Sequence, residues 1–285
     1  CEIFLPLSST VEHDTVVYTH YGASPIMAGA VNKSITVGDC KGDCEIFYEL
    51  GLRCMPINFE KYKDYYDFLA DYRLAYKKSF EELREEVVHQ KTEMCGYYKY
   101  ESGRLRPDGM PGFNTPTGRI ELWSNFYSRA GLDPLPYFEE PEPGPGSTPE
   151  LMDEYPLVMT SGARFWGMFH SEHRQIERMR HYRPWPLMEI HPDTAAKYGI
   201  KDGDWVWMEG PLGRAKRKAK LTPIMDRRLV SCDHGWWFPE GDPEKFYDVF
   251  DLNINNTLPW IPGKSGFGSN YKSSICKIYK VEEGN

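Results

Sequence analysis

The sequence predicts the end of an α/β domain carrying a helical insert, followed by a β-barrel. Three observations predict it. After residue 151, short apolar runs alternate with Gly, Pro and Asp turns, the signature of a barrel or sandwich. Over residues 59–90, aromatic and apolar residues recur every three or four positions, the period of a helix. Between these regions, Pro134 to Pro149 contains Pro-Glu-Pro-Gly-Pro-Gly, a stiff linker suited to crossing a domain surface. The expected organisation is therefore 1–58 as the C-terminal edge of an α/β domain, 59–150 as helical insert and linker, and 151–285 as the barrel.

The elements follow in order. Ile3-Phe-Leu-Pro-Leu7 reads as a short buried strand and Val16-Val-Tyr18 as a second. Asp43 to Gly51 reads as an amphipathic helix with Cys44, Phe47 and Leu50 on one side and Gly51 as its stop. Tyr62, Tyr65, Tyr66, Leu69, Tyr72 and Tyr76 form a stripe, read as a core or interface face rather than a base-stacking platform, because no basic track accompanies it. Ser79 with Glu82 is a capping box opening a helix through Phe80, Leu83 and Val87. Pro156 to Thr160 is a buried strand, and Pro192 and Gly199 bracket a short helix. Trp205 to Glu209 and Arg214 to Leu221 are strands joined by the Gly210-Pro-Leu-Gly213 hairpin. In the second of these, Lys216, Lys218 and Lys220 alternate with Ala215, Arg217, Ala219 and Leu221. The lysines read as a solvated face that discourages edge pairing.

Composition narrows the function. With 40% apolar residues and 14% aromatic residues, the 285-residue chain can bury a core and is not a disordered tail. A mean hydropathy of −0.59, with no long apolar run, argues against a spanning helix. The net charge of −8 excludes the basic footprint of general nucleic-acid binding. Seven scattered cysteines read as reduced thiols rather than a disulfide framework. Cys40 and Cys44 lack two further ligands nearby, so no metal is expected on this chain alone. The apolar opening Cys1 to Pro6 lacks an initiator Met and a basic lead, so the sequence is expected to be the C-terminal part of a longer polypeptide. Its compartment stays open; any twin-arginine export signal would lie upstream.

Four separated blocks carry the chemistry. Thr160, Ser161 and Gly162 end a strand where glycine lets backbone N–H groups approach a ligand. Arg164, His170, Ser171, Arg174 and Gln175 add donors suited to phosphate or pterin oxygens. His191 precedes a helix whose first turn holds Asp193; that carboxylate either favours the helix dipole or accepts the paired donors of a guanine. Asp233-His234-Gly235-Trp236-Trp237 follows a buried strand. Its tryptophans are either core or a wall for a planar pterin, and His234 is either a core histidine or a donor to the cofactor or active-site pocket. Asn253, Asn255 and Asn256 offer amides, and Tyr271 and Lys272 precede the last strand.

In order and strand context these blocks resemble the molybdopterin oxidoreductases, the dimethyl-sulfoxide-reductase superfamily. The resemblance extends upstream. Cys1 to Pro6 with Glu12-His-Asp14 is similar to the family's Ala-Asp-Ile-Val-Leu-Pro strand and the acidic turn after it. Asp43 to Gly51 is similar to its Asp-Trp-Glu-Ile helix, and Asn114 to Gly118 with Glu121-Leu122 to its Thr-Pro-Ser-Gly-Lys-Ile-Glu segment. The resemblance implies a six-stranded double-psi barrel that clamps a molybdenum or tungsten bis(molybdopterin guanine dinucleotide). By position it implies cofactor contacts from Thr160, Gly162, Arg164, His170, Ser171, Gln175, His191, Asp193, Asn255, Tyr271 and Lys272. The residue reading adds Ser161, Arg174, His234 and Trp236. Detail around His234-Gly-Trp-Trp and Arg104-Leu-Arg-Pro-Asp-Gly109 is nearest the catechol dehydroxylase, pyrogallol transhydroxylase and acetylene hydratase branch.

A 4Fe-4S cluster and the metal-ligating side chain are expected on the N-terminal part of the same enzyme, with an iron–sulfur electron-transfer subunit and a small-molecule substrate as partners. The chain alone is thus expected to be inactive, as part of an enzyme performing reductive dehydroxylation of a hydroxylated aromatic. A non-redox hydratase or transhydroxylase, or a non-catalytic pterin-binding module, is the alternative. His20 and Tyr21 are the catalytic candidates, as substrate-facing donors in a Gly-containing loop; a surface loop without a role is the other reading.

Overall fold

The computed structural model describes residues 2–18, 26–73, 78–87, 89–91, 97–135, 137–162, 165–168, 170–263 and 272–282. The chain divides into two compact units, residues 1–120 and 121–285. Among the described residues no helix is long and apolar enough to cross a membrane.

In the first unit, β1 (Thr15–Tyr18), β2 (Ile26–Val31) and β3 (His89–Lys91) form an antiparallel sheet in that order. Helices α1 (Asp43–Cys54), α2 (Pro56–Phe59), α3 (Tyr65–Arg73) and α4 (Phe80–Glu86) accompany it. Val16, Ala28, Cys44, Leu69, Phe80 and Leu83 make the core. The capping box at α4 forms: Ser79 Oγ accepts from Glu82 N at 3.2 Å, and Ser79 N donates to Glu82 Oε2 at 2.6 Å. The tyrosine stripe is a packing face, with Tyr48, Phe59, Tyr62, Tyr65 and Phe68 in mutual ring contact.

Three local expectations change. The 59–90 region is not continuously helical: Asp64 Oδ1 accepts from Asp67 N to open α3 separately, Val87 stops α4 at φ 65°, and His89–Lys91 pairs as a strand. Helix α1 runs through Gly51 to Cys54, and its buried face is Cys44, Tyr48 and Gly51, leaving Phe47 68% exposed. Gly51 is a contact rather than a stop, since a Cβ there would lie 2.5 Å from the Phe59 ring. Ile3 to Leu7 is not a buried strand. It is exposed and held to one neighbour by a parallel bridge from Leu7 to Lys41, because Pro6 contributes only its carbonyl, which accepts from Lys41 N.

The second unit begins with α5 (Asn125–Arg129), capped by Ser124. It then builds a closed barrel from β4 (Leu157–Thr160), β5 (Leu187–Ile190), β6 (Trp205–Gly210), β7 (Gly213–Leu221), β8 (Leu229–Cys232) and β9 (Ser274–Lys280). Short helices α6 (Glu177–Arg180), α7 (Pro192–Lys197) and α8 (Val249–Leu252) sit in its connections. The order is β4-β8-β5-β7-β6-β9, with β4–β8 and β5–β7 parallel and the other four pairs antiparallel. The closed, mixed six-stranded barrel is the fold class expected. Met159, Met188, Ile190, Val206, Met208, Val230, Cys276 and Ile278 fill its interior.

Closure revises the role given to the lysines, because a closed barrel has no edge to protect. Lys218 Nζ lies 4.4 Å from the Trp185 ring centroid, Lys216 Nζ 5.7 Å from that of Trp207, and the Arg214 guanidinium 4.0 Å from that of Trp207. The basic strand face therefore rests on indoles. On the opposite face of β7, Arg217 is fully buried and its three guanidinium nitrogens have no hydrogen-bond partner.

The registers define two barrel ends. Thr160 pairs with Ser231, Met159 with Ser274, and Met188 with Cys232. The C-terminal ends of β4 and β8 and the starts of β5 and β9 thus share one end. Ile190 pairs with Val230 and Leu221, so the C-terminal ends of β5 and β7 lie at the other, near the start of β8.

Candidate functional site

At the first barrel end, β4 runs into Ser161 and Gly162. Gly162 has φ 59°, and a Cβ there would lie 2.6 Å from Ser231 Oγ, so only glycine lets this turn close against β8. Lys272 Nζ donates to Gly162 O at 3.0 Å across 110 residues of sequence. The loop after β8 seats just as closely: Gly235 has φ 64°, and a Cβ there would lie 2.9 Å from His170 O. Trp237 Nε1 donates to Ser171 O at 2.6 Å, and His170 Nδ1 lies 3.1 Å from His234 Nε2. Thr160, Ser161, Gly162, His170, Ser171, His234 and Lys272 are thus brought together. Burial lowers the pKa of His234, and the neighbouring His170 lowers it further.

Arg174 is at this end but presents no charge to a ligand. Its Nη1 donates to Met168 O at 3.2 Å and Glu172 O at 2.9 Å, and its Nη2 to His170 O at 2.7 Å. Its guanidinium lies 4.6 Å from the Trp236 ring centroid. Trp236 is 1% exposed and packs with Met168 and Leu252, the core reading of that residue. Gln175 is exposed, and Asn255 is exposed in the 254–257 turn that packs against β7. His191 and Asp193 lie at the other barrel end. His191 Nδ1 accepts from Asp193 N at 3.0 Å and so caps α7. The Asp193 carboxylate accepts from Arg227 Nε at 2.9 Å, and the Arg227 guanidinium holds its pKa down. Arg164, Tyr271, His20 and Tyr21 lie outside the described residues.

Beside the first end, Ser161, Phe165, Trp166, Arg183, Glu189, Ser231 and Asp233 line a pocket of about 270 Å³. Of these, Phe165, Trp166, Arg183, Glu189 and Ser231 were not singled out by sequence. Glu189 and Ser231 meet only through the β5–β8 register. Their one local signal is strand alternation, which turns both away from the interior. Among the described residues, no group of three or more His, Cys, Asp or Glu is placed to hold a metal ion.

Residues 157–256 match the molydopterin dinucleotide binding domain. The chain belongs to the molybdopterin oxidoreductases. It is 36% identical over 207 residues to a dopamine dehydroxylase of Eggerthella lenta, covering 70% of this chain and 20% of that protein. With an acetylene hydratase of Syntrophotalea acetylenica it shares 32% identity over 210 residues, 73% of this chain and 27% of that one. A solved acetylene hydratase from Pelobacter acetylenicus superposes with a TM-score of 0.80 at 26% identity, covering 97% of this chain and 38% of that chain. The chain therefore spans roughly a fifth to two fifths of these relatives. The dinucleotide-binding match covers β4 through β8 and the loop after it, which is where Gly162, His170 and Gly235 converge. Backbone turned toward one face, hydroxyls, two imidazoles and a lysine fit a polar, anionic pterin dinucleotide.

Proposed function

We propose that this chain is the cofactor-clamping C-terminal portion of an enzyme that carries a molybdenum or tungsten bis(molybdopterin guanine dinucleotide). One observation carries the reading: the Thr160–Gly162, His170–Ser171, His234–Gly235 and Lys272 segments, far apart in sequence, close on one barrel end inside the matched domain. The glycines admit the cofactor to the backbone, Thr160, Ser161 and Lys272 hold its oxygens, and His170 and His234 present one shared hydrogen bond beside it. When bound, the metal–pterin group supplies the redox or Lewis-acid chemistry, while this chain binds, orients and excludes water. The 4Fe-4S cluster and the metal ligand belong to the preceding part of the enzyme, with an iron–sulfur subunit as electron partner.

Reductive dehydroxylation of a hydroxylated aromatic is the favoured reaction, supported by the dopamine dehydroxylase relative. His20 and Tyr21 are proposed to face that substrate, so Tyr21→Phe should depress turnover while leaving metal content intact. The likeness to acetylene hydratase at a TM-score of 0.80 favours a second reading, a non-redox addition of water. Metal analysis and the nucleotide released on denaturing the complete enzyme test the cofactor; absence of molybdenum, tungsten and guanine nucleotide overturns the reading. Turnover that depends on an electron donor selects dehydroxylation, and donor-independent turnover selects hydration.

A further inference from the structure

We propose that the pocket beside Glu189 is a base subsite that reads the guanine end of the dinucleotide; this rests on the cofactor reading above. Seven residues line it: Ser161, Phe165, Trp166, Arg183, Glu189, Ser231 and Asp233. Its two carboxylates differ in what they have left to offer. Asp233 is engaged, because both its oxygens lie 3.1 Å from Arg183 Nη1 and its Oδ2 also accepts from Leu187 N at 3.0 Å. Glu189 accepts from Lys220 Nζ at 3.1 Å through Oε1, and its Oε2 has no hydrogen bond among the described residues.

Charge decides which part of a dinucleotide fits. Two carboxylates against one guanidinium line this pocket, which repels a phosphate and attracts hydrogen-bond donors. Guanine presents N1–H and N2–H₂ side by side, a donor pair that one carboxylate can accept together. Adenine presents its N6 amine beside the N1 acceptor, which would face a carboxylate lone pair. A stacking surface is present as well. Trp166 is 72% exposed and is braced by Phe165 at 5.3 Å and Tyr182 at 5.2 Å between ring centroids. Such a ring accepts any base, so discrimination falls to Glu189. Asp193, the carboxylate expected to read guanine, sits at the other end of the barrel and is held by Arg227.

Calorimetric titration of the full 285-residue chain with GMP, IMP and AMP tests the assignment. GMP should bind at least about tenfold more tightly than AMP, with IMP, which lacks the N2 amine, in between. Glu189→Gln should weaken GMP by about tenfold and erase its advantage over AMP. Trp166→Leu should weaken all three alike, and Asp193→Asn should leave GMP affinity unchanged. A thermal melt of each variant, matching that of the parent chain, confirms that the fold is intact. Equal affinity for GMP and AMP, no GMP heat up to about 10 mM, or an unaltered Glu189→Gln would overturn the proposal. Tighter binding of phenethylamine than of GMP would overturn it too, by marking an ammonium site. Molybdenum or tungsten with guanine nucleotide in the complete enzyme, alongside a failed GMP titration, removes the subsite and leaves the cofactor reading standing. Their absence from the complete enzyme removes both.

Discussion

His170 Nδ1 and His234 Nε2 stand 3.1 Å apart although 64 residues separate them in sequence. One ring must donate and the other accept, so the pair holds together with one imidazole supplying a neutral nitrogen. Burial and the neighbouring His170 keep the His234 pKa below its ordinary 6.5. A histidine whose folded pKa is depressed contributes stability above the unfolded value and loses it as pH falls toward the folded value. Melting temperatures measured from pH 7 down to pH 5 should therefore drop more steeply for the parent chain than for His234→Gln. Parallel curves would remove the pair from the acid response.

Arg174 should prove a structural clamp. Truncation to Met leaves the carbonyls of Met168, Glu172 and His170 short of a donor and removes the stack on Trp236. Arg174→Met should cost about 2–4 kcal/mol in urea unfolding, and Arg174→Lys, with one ammonium in place of a fork, should recover only part of it. Unchanged stability would return Arg174 to the pool of free ligand donors.

Arg217 makes the opposite prediction. It is fully buried in the barrel wall with no hydrogen-bond partner, and burial also pushes the nearby Cys232 thiol up to about 12. The thiol therefore stays neutral and gives the guanidinium no counter-charge. Arg217→Met keeps the volume and removes the desolvated charge, so it should raise stability by about 1–4 kcal/mol. Destabilisation in a denaturant melt would show that the guanidinium has an unseen anionic partner.

At Asp193 the expected effect is electrostatic and local. Its exposed pair with Arg227 should contribute less at high salt, so the gap in melting temperature between the parent and Asp193→Ala should narrow as salt is added. The same variant in the complete enzyme should retain its full complement of guanine nucleotide. A fall in nucleotide content would restore this carboxylate to the cofactor.

In the first unit, Gly51→Ala tests a contact against a propensity. Alanine is favoured over glycine within a helix by about 1 kcal/mol, yet the new Cβ would lie 2.5 Å from Phe59 ring atoms. A net loss of about 1–3 kcal/mol is expected, with Phe59→Leu in the same chain relieving part of it. A net gain would show that the ring moves aside freely.

The sequence carried what is local. Alternation in Arg214 to Leu221, the Gly210–Gly213 hairpin and the Ser79–Glu82 capping box each depend on neighbours within a few residues, and each was legible. Strand order was not. Nothing near Asp193 says that β5 ends at the opposite barrel end from Gly162, and nothing near Glu189 says that Ser231 is its cross-strand partner. Arg174 reads as a ligand donor because the carbonyls it binds come from backbone, which leaves no mark in a sequence. Ile3 to Leu7 reads as buried because apolar runs usually are, whereas burial also needs a neighbouring surface.

The Lys272–Gly162 bond has a temporal meaning. Strand β4, among the first parts of the barrel to be synthesised, has β8 and β9 as its partners, so it must wait for more than half of its unit before either edge is satisfied. Helical segments of the first unit can settle as they emerge, but the barrel closes only after β9 arrives, and such long-range pairing is slow. The cofactor face is accordingly absent from a growing chain and appears in one step at the end. Any dinucleotide would have to be loaded into a finished barrel rather than gathered during its synthesis.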